Sequence, residues 1–356
     1  MTELPKLEAY TLESVLGSGG FGTTYLAKHL ASGEVCVVKA LSFAHLQDWK
    51  SVELFEREAQ TLQQLKHPRI PRYRDFIQHT ADEKTQFFLV QDYAPGRSLQ
   101  DCIAEGKHFT ESEVIDLALQ ITEILIYLQT HHPPFIHRDI KPENIIFNEG
   151  QAFLIDFGAV SKYAPGQRGS TMVGSLGYMA PEQFHGQAYP STDIYGLGVN
   201  LLYLLTHKQP SDLSSGGFTL KFRHLLQCSN GLSEVLGKMV APHHDDRYRS
   251  AKALYEDLKR LEQGKIPDVL AEKKAAQYLQ QLPSSPVKQG LTPAKGLLIA
   301  SAVVFVGLVM LSLLWHRPQA ATRPDYNAIK KRLEKTYEEA YRAEYGPPPQ
   351  PIKIPE

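Results

Sequence analysis

The sequence predicts an α+β chain: a small lobe built on an antiparallel sheet, a larger helical lobe, and one C-terminal helix that crosses a membrane. Three observations predict it. Between Tyr10 and Val90, short runs of β-formers alternate with turns, and a glycine cluster joins the first two runs. From Thr110 onward, apolar residues recur at helical spacing. Residues 296–315 then run for about 20 positions without a charge, enough at helical rise to span a hydrocarbon core of about 30 Å.

Composition narrows the function. A chain of 356 residues can build two ordinary lobes with sizeable cores. Its 38 Lys and Arg nearly cancel 39 Asp and Glu, so no general basic field points to nucleic acid. Cys36, Cys102 and Cys228 are scattered, with neither metal-ligand spacing nor a disulfide framework, which suits a reduced cytosolic setting. The opening residues, Met1-Thr2-Glu3-Leu4-Pro5, lack a signal-peptide pattern, and the chain contains no internal repeat.

In the small lobe, Tyr10 to Leu16 alternates as a strand and runs into Gly17-Ser18-Gly19-Gly20-Phe21-Gly22. Gly17, Gly19 and Gly22 form a G-x-G-x-x-G, in which missing Cβ atoms let backbone N–H groups approach phosphate oxygens. A dinucleotide fingerprint would need a helix next and an acidic residue on the following strand. Here a strand follows, Thr23 to Ala27, and the next one, Val35-Cys36-Val37-Val38-Lys39, ends in lysine. The glycines therefore read as the turn of a nucleotide-covering hairpin. An unpaired ammonium on an apolar strand costs several kcal/mol, so Lys39 needs anions: nucleotide phosphates, and a glutamate on the next helix. Trp49 to Leu65 supplies that helix, with Phe55, Leu62 and Leu65 on or near one stripe and Glu58 beside it. Glu53 and Glu56 read as surface charges. Phe87 to Val90 is a further strand, leading into Gln91-Asp92-Tyr93-Ala94-Pro95-Gly96.

In the helical lobe, Thr110-x-x-Glu113 is a capping box, and Val114, Leu117, Ala118, Ile121, Leu125 and Leu128 mark a core face. The run Ile136-His137-Arg138-Asp139-Ile140-Lys141-Pro142-Glu143-Asn144 carries the chemistry. Asp139 and Asn144 have the spacing of a loop that holds a phosphoryl acceptor at one end and a metal at the other. Lys141 adds positive charge where the transferring phosphate needs it. Asn148-Glu149-Gly150 turns between two short apolar strands and leads to Asp156-Phe157-Gly158. Asp139 and Asp156 do not read as a glycosidase pair, because that chemistry has no use for the glycine turn or Lys39. Ala159 to Met179 is a polar, glycine-dotted loop that closes on Gly174-Ser175-Leu176-Gly177-Tyr178-Met179-Ala180-Pro181-Glu182. Asp193 to Leu205 is an apolar helix too short and interrupted to cross a membrane.

From Tyr10 to about Leu261 these motifs, in this order, resemble the eukaryotic-type serine/threonine protein kinases, and look most similar to bacterial members, cyanobacterial ones included. The resemblance implies a two-lobed protein-kinase fold that uses ATP and Mg²⁺, with Mn²⁺ as an alternative. It implies that Gly17, Ser18, Gly19, Gly20, Phe21 and Gly22 cover the phosphates. Thr24, at the position that packs on adenine, would bind ATP together with Val37 and Ile146, and backbone groups of the Asp92 to Ala94 stretch would hydrogen-bond the adenine. Lys39 would pair with Glu58. Asp139 would accept the substrate hydroxyl proton beside Lys141, while Asn144 and Asp156 would hold the metal. Ser175 would touch the catalytic loop, Glu182 would pair with Arg247, and Asp193 would hold the loop backbone. A phosphate on Ser170 or Thr171 would bind Arg138. Gln91 and Thr24 depart from the apolar residues usual at their positions, and Ser175 replaces the usual threonine but keeps its hydroxyl. A non-catalytic scaffold of the same shape would have no chemical need for Lys39, Glu58, Asp139, Asn144 and Asp156 together. A small-molecule phosphotransferase would lack the Ala180-Pro181-Glu182 anchor.

The expected organisation is a leader at 1–9, a kinase domain at 10–264 (small lobe 10–93, large lobe 94–264), a linker at 265–295, a membrane helix at 296–315 and a tail at 316–356. Pro283, Pro286 and Pro293 interrupt the linker, with a helix expected from Val269 to Leu282. Lys and Arg are denser after the span than before it, which would place the tail in the cytoplasm. The need for cytosolic ATP places the domain there instead and the tail on the other side. Expected partners are proteins bearing Ser and Thr hydroxyls, and the membrane through 296–315, with no nucleic acid; the sequence does not specify oligomeric state.

Overall fold

The structure, a computed structural model, describes residues 7–19, 22–41, 49–81, 84–163, 174–214 and 218–281. The small lobe runs β1 (Tyr10–Gly19), β2 (Gly22–His29), β3 (Val35–Leu41), α1 (Trp49–Gln64), β4 (Tyr73–Ala81) and β5 (Lys84–Asp92). Its sheet is antiparallel throughout, in the order β1-β2-β3-β5-β4. Strand alternation sorts the two faces. Cys36, Val38 and Ala40 pack with Phe88 and Val90 in an outer cluster. Leu41 and Leu89 join Val52, Phe55, Ala59 and Leu62 of α1 in the main core. Side chains alternate across a strand, so Lys39, between Val38 and Ala40, faces α1.

The large lobe continues with β6 (Arg97–Ser98), α2 (Leu99–Ala104), α3 (Glu111–Gln129), β7 (Phe135–Ile136), β8 (Ile145–Asn148), β9 (Gln151–Leu154) and β10 (Ser161–Lys162). It ends with α4 (Pro190–Thr206), α5 (Pro210–Leu213), α6 (Asn230–Met239), α7 (Ala251–Glu262) and α8 (Asp268–Gln281). The expected capping box opens α3: Thr110 Oγ1 accepts from the Glu113 N–H at 3.3 Å, and the Glu113 carboxylate accepts from the Thr110 N–H at 2.8 Å. Helix α4 starts three residues before Asp193, at a proline that needs no N–H partner in a first turn. Every residue from Ser191 to Leu204 is buried, so α4 is hydrophobic all round because protein surrounds it.

Helix α8 falls in the stretch read as linker, and its first turn is fastened to the large lobe. The buried Asp257 carboxylate accepts from the N–H groups of Asp268 and Val269 and from the Tyr248 hydroxyl. Lys273 reaches Glu234 at 2.7 Å. Among the described residues no helix is long and apolar enough to cross a membrane. The span expected at 296–315 lies outside the described residues, as do Gly20, Phe21, Ser170 and Thr171.

Candidate active site

At the small-lobe end of the cleft, Lys39 Nζ lies 2.6 Å from Glu58 Oε1 and 3.0 Å from Asp156 Oδ1. Three elements meet there: β3 carries Lys39, α1 carries Glu58, and the loop leaving β9 carries Asp156. Asp156 takes a left-handed backbone, φ 64°, a strained state for a non-glycine that persists where its surroundings fix it. Gly158 explains the closeness of the packing, since a Cβ there would meet Glu58 Oε2 at 3.2 Å. Burial opposes the charge on Lys39, but Asp156 and Glu58 together hold its pKa above the ordinary range. Burial likewise opposes ionisation of Asp156, and Lys39, aided by His137 and the Gly158 N–H, outweighs it and holds the carboxyl down to about 2. At Glu58, burial wins over Lys39 and pushes the carboxyl up. One ammonium thus serves two carboxylates, leaving the site net negative. Asp156 sits deep, yet 39% of its side-chain surface opens to the cleft. A hard oxygen donor in a negative pocket suits a divalent cation.

At the large-lobe end, Asp139 is held by three donors. Ser175 Oγ donates to Oδ1 at 2.8 Å, while Lys141 Nζ and Asn144 Nδ2 each lie 3.1 Å from Oδ2. Lys141 also donates to Ser175 Oγ at 2.8 Å, closing a triangle of carboxylate, ammonium and hydroxyl. Asn144 Nδ2 donates to the Asp139 carbonyl as well, at 2.9 Å. Its amide nitrogen is therefore committed to Asp139, and its oxygen is the end left for a cation. Helix α4 holds the backbone just before Asp139: Asp193 accepts from the N–H groups of His137 and Arg138, both at 2.8 Å. Arg138 has φ 68° and donates through Nε to the Ala159 carbonyl at 2.6 Å. His137 is fully buried, its ring edge-on to Phe157 at 4.9 Å, so the loops bearing Asp139 and Asp156 share one packed contact.

The loop that closes on Glu182 is anchored at that end. Arg247, with no exposed side-chain surface, donates to both oxygens of Glu182 at 2.7 and 2.9 Å, and Thr192 adds a third donor at 2.7 Å. Its guanidinium also lies over the Tyr195 ring. Gly174, at φ 131°, approaches the catalytic loop so closely that a Cβ would meet the Arg138 carbonyl at 2.9 Å.

The wall around the glycine turn has a mixed logic. β1 and β2 close through Gly19 opposite Gly22. A Cβ on Gly22 would lie 2.0 Å from the Ala40 carbonyl, so packing against β3 requires this glycine, whereas Gly17 faces open space. Thr24 lies opposite Lys39, and Val37 opposite buried Gln91. The Asp92 side chain is taken by Arg72 and Arg74, both at 2.6 Å. Burial opposes its ionisation, but the two arginines hold the carboxyl below the usual carboxylate range. Its N–H donates to the Arg72 carbonyl. Ile146 sits on β8, opposite Phe153 of β9 and Ser98 of β6.

Two residues that sequence reasoning did not single out also hold the catalytic loop. Gln183 Nε2 donates to the Arg138 carbonyl at 2.8 Å, and Asn200 Nδ2 to the Ile140 carbonyl at 2.9 Å. A signal for Asn200 was available, since an amide inside the apolar run of α4 must find partners when buried.

Residues 10–265 match the family model described as the protein kinase domain. The chain is 36% identical over 269 residues to Serine/threonine-protein kinase C of Synechocystis sp., covering 70% of this chain and 49% of that relative. It is 35% identical over 268 residues to Serine/threonine-protein kinase PknA of Nostoc sp., covering 70% and 46%. Similarity to Serine/threonine-protein kinase F of Synechocystis sp., 33% over 350 residues, covers 85% of this chain and 70% of the relative. The chain spans about half the length of the first two. On the family match, with the motifs assembled around one cleft, the chain belongs to the protein kinase family.

Proposed function

We propose that the chain is an ATP-dependent protein kinase acting on serine and threonine hydroxyls, attached to a membrane through residues 296–315. The observation that carries the first part is the Asp139–Lys141–Ser175 triangle, in which a serine hydroxyl already donates to the proposed base beside an ammonium. A substrate hydroxyl meeting the same groups would attack the γ-phosphorus of ATP. Its proton would pass to Asp139, the bond from the γ-phosphorus to its bridging oxygen would break, and ADP would leave. Lys39, held by Glu58, would orient the α- and β-phosphates. Asn144 and Asp156 would hold Mg²⁺, or Mn²⁺, which when bound supplies charge neutralisation for the phosphates. The names of the relatives support serine and threonine as acceptors. Incubation of the full chain and a protein acceptor with labelled ATP and Mg²⁺, followed by mapping of the modified residues, tests this. Label on serine or threonine is expected, and none on any protein would sink the reading.

The membrane part rests on the uncharged run at 296–315 with Trp315 at its end, a residue suited to the interface. Truncation after Gly290 is expected to release a soluble fragment that still binds ATP. Protease added to intact cells should clip only beyond Arg317. A protected tail with a cytosolic N-terminus would mean that the Lys and Arg bias sets the topology.

A further inference from the structure

We infer that Asn200 is a positioning residue for the proposed phosphoryl transfer: it clamps the C-terminal side of Asp139 as Asp193 clamps the N-terminal side. Residues 193 and 200 are seven positions apart, two helical turns, and so lie on one face of α4. From that face Asp193 takes the N–H groups of His137 and Arg138, and Asn200 gives a hydrogen to the carbonyl of Ile140. Asp139 lies between these grips. Gly196, one turn after Asp193, makes the approach possible: a Cβ there would meet the Ile140 carbonyl at 3.2 Å and its Cβ at 3.3 Å.

The amide orientation follows from its partners. Nδ2 lies 2.9 Å from the Ile140 carbonyl and 2.8 Å from the Gly196 carbonyl, and only the nitrogen can face two acceptors. Oδ1 is buried and meets no donor among the described residues. A residue kept for packing alone would be apolar here, since an unmatched buried oxygen is a cost. The amide makes sense as a two-pronged donor, and one prong reaches the catalytic loop. Arg138, in a left-handed backbone at φ 68°, shows that this loop is held against its own preference, which takes restraints on both sides.

The inference rests on the kinase reading, so it is tested by turnover and by a readout independent of turnover. Asn200→Leu keeps the volume and removes the donor. Asn200→Ser leaves a hydroxyl that bonds back within the helix to the Gly196 carbonyl. In each variant that folds, kcat should fall about tenfold with the KM for ATP nearly unchanged, because small misplacements of a reacting group cost rate rather than nucleotide binding. Hydrogen–deuterium exchange across residues 137–144 should quicken in both, whereas the peptides of α3 and α7 should not change. Asn200→Gln, which keeps the donor, should recover part of both effects. Wild-type kcat and wild-type exchange in a folded Leu or Ser variant would overturn the inference. So would global unfolding of both, which would make Asn200 a structural residue. If the parent chain transfers no phosphate, the kinase reading fails, while the exchange comparison still decides whether Asn200 clamps the loop.

Discussion

Lys39 lies 2.6 Å from Glu58, and the same ammonium lies 3.0 Å from Asp156, so a single lysine ties the small lobe's sheet and helix to the loop below the cleft. Among the described residues no second cation shares these two carboxylates. Lys39→Met is therefore expected to do two things. Phosphoryl transfer should fall by about 10²–10³-fold or more, as when a preorganised electrostatic group is removed. Stability should fall by only about 2 kcal/mol, less than the ~3–5 of a dry broken pair, because Asp156 opens to solvent and Glu58 can take up a proton. Asp156→Asn should lose transfer to a similar degree while keeping the fold. Steady-state kinetics beside thermal melts check both. Near-normal turnover in either variant would remove this arrangement from the mechanism.

The Asp156 carboxyl also gives a pH dependence. Its pKa is depressed from 3.8 to about 2, so the stability it contributes is fully present above 3.8 and is lost as pH falls toward about 2. The difference in unfolding free energy between wild type and Asp156→Asn should be constant near neutrality and shrink below about pH 4. Urea titrations at a series of pH values measure it. A difference that grows on acidification would contradict the assignment.

The Glu182–Arg247 pair is buried and bidentate, and removing one partner strands a charge. Arg247→Met should cost about 3–5 kcal/mol, and the double change with Glu182→Gln less than the sum of the single ones. A double-mutant cycle by denaturant unfolding reads this directly. Strict additivity would show that the two act independently.

Arg138 carries a prediction about regulation. Its Nε is occupied by the Ala159 carbonyl, an arrangement that needs no phosphate. A phosphate of roughly two negative charges on Ser170 or Thr171 would add charge-assisted bonds to the same guanidinium. We predict that a Ser170→Ala/Thr171→Ala double variant is less active than its parent, and that phosphatase lowers the parent to the same level. Equal activity with and without phosphatase in both proteins would mean that Arg138 is satisfied by the backbone alone.

How far these features were legible in the sequence follows their range along the chain. The glycine turn, the run from Ile136 to Asn144, and Asp156-Phe157-Gly158 put their chemistry in consecutive residues, so they can be read directly. Lys39 and Glu58 were legible because a charge on an apolar strand demands a partner. Strand β4 was not read. A register shift interrupts it between Tyr73 and Asp75, and Phe76 and Ile77 are both apolar because each face of the strand meets its own cluster, so no polar–apolar alternation marks it. Gln183 and Asn200 were missed because their partners lie 45 and 60 positions away, and only the folded backbone brings those carbonyls to them. Gly22 was read for its phosphate approach, and its contact with Ala40 is a packing demand that no local pattern encodes.

The cap that Asp257 provides for α8 moves the practical edge of the folding unit. The family match stops at 265, but a fragment cut there would lose the N–H groups of Asp268 and Val269. Asp257, only 2% exposed in the intact chain, would keep the Tyr248 hydroxyl as its remaining partner of the three and would lose two donors together with the segment that carries them. Cutting instead after Lys273 keeps the cap and the Glu234 contact. A crystallographer or enzymologist choosing where to end a soluble fragment should therefore end it beyond the first turn of α8, and ascribe poor yield from a shorter one to the severed cap rather than to the catalytic lobe.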